Sequence, residues 1–170
     1  YKEDAMQHVQ TRSTTSALVL TAVLIALATL FTMYTKIPVP GIRGYFNVGD
    51  VVIMTSALLL GRKYGAYIGA IGPALADLFL GYAVFVPITF VVKGIEGYLV
   101  GTVYNNKTTT SALVATIVGG IVIVAGYFIA EYFVFDPGVA IASILTNTIQ
   151  AVMSVIVSMI LYAILRKRLG

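Results

Sequence analysis

The 170-residue chain has no cysteine and no tryptophan, and its single histidine, His8, stands near the amino terminus. Without cysteine there is no disulfide, no thiolate nucleophile and no soft-metal site. With the one histidine outside the apolar runs, a histidine-based triad or a histidine-ligated metal within those runs is excluded, and no metal site is expected. Charge is scarce too: 11% of residues are charged against 59% hydrophobic, with a mean hydropathy of +0.94. A soluble domain of this size needs a far more polar surface. A phosphate-cradling GxxxxGK[ST] loop is also missing, so this chain is not expected to hydrolyse ATP or to bind a cofactor of its own.

What is present is apolar sequence in runs of about twenty residues, the length needed to cross the hydrocarbon of a bilayer as a helix. The expected spans are residues 16–35, a short second one at 48–61, then 65–82, 86–104, 111–134 and 139–165. They are separated at IPVPGIRG, GRKYG, GYAVFVP, YNNKTTTS and DPG, where proline removes a donor, glycine permits positive φ and hydroxyl or amide side chains cap helices. The fold class that follows is an all-α integral membrane protein, a compact bundle of six transmembrane helices forming one domain over 1–170. Residues 1–15 form an N-terminal segment outside the bilayer; the start at Tyr1 points to a trimmed chain, and no cleavable signal peptide is expected.

Basic residues set the orientation, because cytoplasmic loops retain Lys and Arg. With the N-terminus inside, the inner segments hold Lys2, Arg12, Arg62, Lys63, Lys107, Arg166, Lys167 and Arg168, and the outer loops only Lys36 and Arg43. Both termini are therefore expected to be cytoplasmic, in a multi-pass protein of the prokaryotic cell membrane. The net charge of +4 is accounted for by this bias and calls for no nucleic acid. Glu131 and Asp136 fall on the outer side.

Lys93 and Glu96, in FVVKGIEGYLVG, are the exception, because they lie three residues apart on one face of the fourth span. A charge at the bilayer centre costs about 2.5–3.5 kcal/mol on insertion scales, so it needs protein or water around it and a partner. Two readings stand: a structural ion pair, or a charge that lines a ligand pocket, with Lys93 nearer the outer end. Gly94, Gly97 and Gly101 beside the pair permit close helix approach. On the sixth span Ser143, Asn147, Gln150, Ser154 and Ser158 recur every three or four residues, a polar stripe that should face the bundle interior. Asp77 is near the outer end of the third span, where a contact with Lys93 is expected. Asp50, after Gly49, reads as a helix N-terminal group favoured by the dipole. Asp50 and Asp77 together raise the alternative of an aspartyl protease, which the dipole reading of Asp50 disfavours.

Aromatic residues, among them Phe31, Tyr34, Tyr45, Phe79, Tyr82, Phe85, Tyr127 and Tyr132, cluster near the expected outer interface, mostly as an interfacial belt, with some free to stack on a flat ligand. The loop KIPVPGIRGYFNVGD is the longest outer connection and is read as a lid or as a plain surface loop. The candidate substrate-binding residues are Lys93, Gln150, Asn147, Asp77, Tyr82, Glu96, Asn47 and Tyr45. Aromatic faces, amides and one or two charges suit a small flat heteroaromatic with hydroxyl or amine groups.

The stretch FNVGDVVIMTSALLLGRKYGAYIGAIGPALADLFLGY, followed by KGIEGYLVG, resembles the substrate-binding S components of energy-coupling factor (ECF) transporters, a group of ABC transporters that take up vitamins. The likeness covers nearly the whole chain and is nearest the riboflavin-type and related members. The resemblance implies high-affinity capture of a vitamin, with hydroxymethylpyrimidine or pyridoxine favoured by the crowded aromatic mouth and riboflavin as the alternative. It also implies a transmembrane coupling protein and two ATPase subunits as partners, with ATP and Mg in those subunits. Docking is implied for the small-xxx-small pair Ala22 and Ala26 of AVLIA on the first helix. A stand-alone secondary carrier remains the alternative of another class; such a carrier transports alone in liposomes, whereas an S component only binds.

Overall fold

The computed structural model describes residues 2–38, 45–104 and 108–169, with side chains described over 15–37, 47–104 and 108–167. Six helices run in chain order: α1 (Lys2–Tyr34), α2 (Gly49–Leu60), α3 (Arg62–Phe79), α4 (Phe85–Val103), α5 (Thr109–Val134) and α6 (Pro137–Leu169). Between α1 and α2 lie two short strands, β1 (Ile37–Pro38) and β2 (Tyr45–Phe46), paired antiparallel with Ile37 opposite Phe46 and Pro38 opposite Tyr45. The sequence reading had no strand here. The tip of the expected lid, residues 39–44, lies outside the described residues.

Helices α1, α3, α4, α5 and α6 pack each against the next, and α2 touches all five from within. Nine of the twelve residues of α2 are buried, which marks it as the core of the bundle rather than a wall. At 1.5 Å per residue α2 is about 18 Å long, short of the roughly 30 Å hydrocarbon thickness. Among the described residues, four helices are long and apolar enough to cross a membrane: Thr15–Tyr34 within α1, then α4, α5 and Pro137–Lys167 within α6. The six expected spans are thus six helices of unequal character. Helix α1 also runs unbroken from Lys2, without a break where the extramembrane segment 1–15 was expected to end.

Local chemistry explains the helix ends. Gly61 (φ 87°) and Gly81 (φ 81°) adopt the left-handed region that glycine tolerates, and they separate α2 from α3 and α3 from α4. Thr108 caps α5 by accepting from the Ser111 N–H at 3.1 Å, and the Asp136 carboxylate accepts from the Val139 N–H at 3.0 Å at the start of α6. The glycines of α4 permit the close approach expected of them, and those of α3 meet them. A Cβ on Gly97 would collide with the Gly65 carbonyl, and one on Gly65 would come within 2.6 Å of the Gly97 carbonyl, so the two backbones are in direct contact.

Polarity is arranged inside out relative to a soluble protein. Asp50, Glu96, Thr116 and Ser158 are fully buried, while Phe133, Leu145 and Ile121 are 81%, 68% and 60% exposed. Such an exterior is matched by lipid and not by water. The α6 stripe faces inward as its spacing required, with Ser143, Gln150, Ser154 and Ser158 all buried.

Candidate functional site

Charge inside the bundle gathers where α2, α4 and α6 meet. Lys93 reaches across to the carboxylate of Asp50 in the first turn of α2, and its Nζ lies 3.4 Å from Glu96 Oε2. Gln150 of α6 donates through Nε2 to Asp50 Oδ2 at 2.6 Å, and its Oε1 accepts from the Asn47 N–H at 3.1 Å. The Asn47 side chain in turn accepts from the Gly49 N–H at 2.9 Å, and the Thr35 hydroxyl accepts from the Val48 N–H at 3.0 Å. One polar network therefore joins the end of α1, the segment after β2, and helices α2, α4 and α6. Buried charges are stable only when paired and hydrogen-bonded, and Lys93 has both a carboxylate partner and a second carboxylate nearby.

Three members of this network, Lys93, Gln150 and Asn47, line a cavity of about 40 Å³. Its walls are Thr32 of α1, Asn47, Pro73 and Asp77 of α3, Phe85, Thr89 and Lys93 of α4, Tyr127 and Glu131 of α5, and Ser143, Thr146, Asn147 and Gln150 of α6. Phe85 and Tyr127 supply aromatic surface; Tyr127 shares a 3.0 Å hydroxyl hydrogen bond with Thr89, and Lys93 Nζ lies 5.4 Å from its ring centre. Two wall groups have polar capacity unused within the fold: the Thr32 hydroxyl and the Asn147 amide nitrogen have no hydrogen-bond partner among the described residues. Unpaired buried polar groups are costly, so their presence in one cavity wall marks a place for a polar guest. Among the described residues no cluster of His, Cys, Asp and Glu is able to hold a metal ion.

Of the residues singled out in the sequence, Lys93, Gln150, Asn147, Asp77 and Asn47 line this one cavity. Glu96 does not: it is fully buried behind Lys93 and packs toward Gly119 of α5. Tyr82 is absent from the wall; its ring lies 5.0 Å from the Lys36 ammonium and meets Phe85 edge-on at 6.3 Å. The Tyr45 side chain lies outside the described residues. Lys93 pairs with Asp50 and Glu96, not with Asp77 as expected; Asp77 shares the cavity wall with it. The dipole reading of Asp50 was incomplete, since its carboxylate is also the hub of the network. Glu131 was assigned to the outer side by loop topology, yet it is 3% exposed, accepts a hydrogen bond from Ser143 and lines the cavity. Its place in the last turn of α5, three residues before Val134, offered no signal of its own; the signal was Ser143 at the head of the inward stripe. Phe85 and Tyr127 belong to the cavity, whereas Tyr34 and Phe79, 85% and 65% exposed, fit an outer belt.

A bundle of apolar helices around a small polar cavity, with a buried lysine paired to carboxylates inside it, is the architecture of a membrane-embedded solute-binding protein. The comparisons with known proteins give the family. Residues 12–167 match the ECF-type riboflavin transporter S component, and the chain belongs to this family. It is 41% identical over 145 residues to an uncharacterized protein in a gap 3' region of Pyrococcus woesei, covering 84% of this chain and 96% of that one. It is 30% identical over 149 residues to the thiamine precursor transporter HmpT of Lactococcus lactis subsp. cremoris, covering 86% of this chain and 83% of HmpT. The fold matches the solved S component of a bacterial ECF transporter with a TM-score of 0.76 at 21% identity, over 92% of this chain and 99% of that one. It matches an S component for biotin from an ECF-type ABC transporter with a TM-score of 0.68 at 18% identity, over 92% and 93%. The chain is a multi-pass membrane protein of the S-component fold.

Proposed function

We propose that this S component captures a single-ring nitrogen heteroaromatic of the hydroxymethylpyrimidine or pyridoxine type in the cavity above Lys93. The observation that carries the reading is the cavity itself: narrow, walled by Phe85 and Tyr127, and lined by the unused Thr32 hydroxyl and Asn147 amide. A flat ring lies against the aromatic faces, and its few polar substituents meet Thr32, Asn147 and Lys93. The kinship with HmpT, a thiamine precursor transporter, supports a small ring. The family description names riboflavin, and a three-ring flavin is the second reading; it demands a far wider opening of this cavity than one ring does.

In this reading the chain is no enzyme and binds neither nucleotide nor metal; ATP and Mg belong to two ATPase partners, and a transmembrane coupling protein transmits their motion. Ala22 and Ala26 are both exposed on α1, which supports their use as a flat docking stripe for that partner. The basic residues Arg62, Lys63, Arg166 and Lys167 belong to the helix ends remote from the cavity, which supports cytoplasmic termini and an outward-facing pocket. The test is to denature the purified protein, identify released small molecules by mass spectrometry, and titrate the emptied protein with hydroxymethylpyrimidine, pyridoxine and riboflavin. Selective, stoichiometric binding of a single-ring compound is the expected result; binding of riboflavin alone, or of none, overturns the reading. Ala22→Trp with Ala26→Trp should abolish ATP-driven uptake in the assembled transporter and leave ligand affinity unchanged. Uptake by this chain alone in liposomes would instead make it a stand-alone carrier.

A further inference from the structure

Lys93 is the one cation on the cavity wall among the described residues, and Asp50 and Glu96 already answer its charge. Glu131 has no such counterpart. It is 3% exposed, its Oε2 accepts from the Ser143 hydroxyl, and no described Lys or Arg comes within ion-pairing distance of it. An ionised carboxylate offers about four acceptor positions. One hydroxyl donor meets a small part of that demand, and a buried carboxylate without a cation is costly. What the fold leaves open at Glu131 is a place for donors that arrive with the ligand.

We infer that Glu131 is a specificity-determining residue of the cavity, and that the ligand it selects presents an amidine-type edge, a ring nitrogen beside an exocyclic amino group. This inference rests on the single-ring reading above and narrows it. Such an edge offers two parallel N–H donors once its ring nitrogen is protonated, and two parallel donors match the two oxygens of a carboxylate as an arginine fork does. Glu131 supplies both the acceptor geometry and the negative charge that favours the protonated ring. The hydroxyl of Ser143 holds one carboxylate oxygen in place, and Tyr127, one helical turn before Glu131 on α5, presents its ring to the same cavity. A ring whose edge carries a carbonyl in place of the amino group turns an acceptor toward the carboxylate and is rejected. A pyridine ring with a neighbouring hydroxyl lacks the amino donor and is held less well.

The experiment is calorimetric titration of the purified, emptied protein in detergent with two probes, 4-amino-5-hydroxymethyl-2-methylpyrimidine and the same ring with oxo in place of amino. Wild type should prefer the amino ring. Glu131→Gln should lose about 10- to 100-fold in affinity for the amino ring, the worth of a charge-assisted hydrogen bond, and bind the oxo ring within about threefold of wild type, so that the preference collapses. Should Glu131→Gln not fold, Glu131→Asp, whose carboxylate is one methylene short, is expected to show the same collapse. Unchanged amino-ring affinity in the folded variant, or equal loss for both probes, overturns the inference and leaves Glu131 a structural group. Wild type that binds the two probes equally also overturns it while leaving the single-ring reading intact. Binding of riboflavin and neither probe overturns both.

Discussion

Replacing Lys93 by methionine tests the charge arrangement at the centre of the bundle most directly. Methionine keeps much of the apolar stem and removes the ammonium. Ionised, Asp50, Lys93 and Glu96 carry one positive and two negative charges, a net of −1, so Lys93→Met leaves two buried carboxylates with their shared cation gone. Breaking a buried ion pair from one side costs about 3–5 kcal/mol. For a chain of this length 1 kcal/mol moves the midpoint by about 2–4 °C, so Lys93→Met should melt about 6–20 °C below wild type. Glu96→Gln leaves the Lys93–Asp50 pair balanced and should shift the midpoint by less than about 4 °C. Asp50→Asn falls between, because it leaves the Lys93–Glu96 pair but weakens the bond from Gln150. The chain has no tryptophan, so melting is followed by far-UV circular dichroism at one scan rate in one detergent. A Lys93→Met midpoint within about 4 °C of wild type, or Glu96→Gln as the worst of the three, would refute the charge count.

Three further outcomes follow from the packing and the network. Gln150→Ala removes the bonds to the Asn47 N–H and to Asp50 together, and should lower ligand affinity about tenfold or more in calorimetric titration, since a buried hydrogen bond to a charge is worth about 1.5–3 kcal/mol. Gly97→Leu drives a side chain into the backbone of Gly65 and should prevent recovery of a monodisperse protein by size exclusion, whereas Gly94→Ala, whose nearest neighbour is the Ala70 methyl at 3.2 Å, should be recovered in good yield. Thr108→Ala deletes the α5 cap at the end of the helix remote from Tyr127 and Glu131, and should cost about 0.5–2 kcal/mol in stability while leaving affinity unchanged.

Hydropathy by itself determined that the chain lives in a membrane and where its four long apolar spans fall, because transfer of about twenty apolar residues into hydrocarbon overrides local preferences, while α2 and α3 were marked by the glycine and proline breaks around them. Helical periodicity by itself determined that Ser143, Gln150, Ser154 and Ser158 share a face and that Lys93 and Glu96 share another, since residues three and four apart lie together whatever surrounds the helix. Neither rule reaches across helices. That Lys93 pairs with Asp50, 43 residues away, and that Gln150 ties Asp50 to Asn47, depends on the short α2 packing against all five longer helices. The same packing turned Glu131 from a residue at the expected outer surface into a cavity wall, and moved Glu96 from a candidate contact to a support behind Lys93. Which polar groups meet is a matter of how helices far apart in sequence rotate about their axes to bury charge together, and only the tertiary structure decides that rotation.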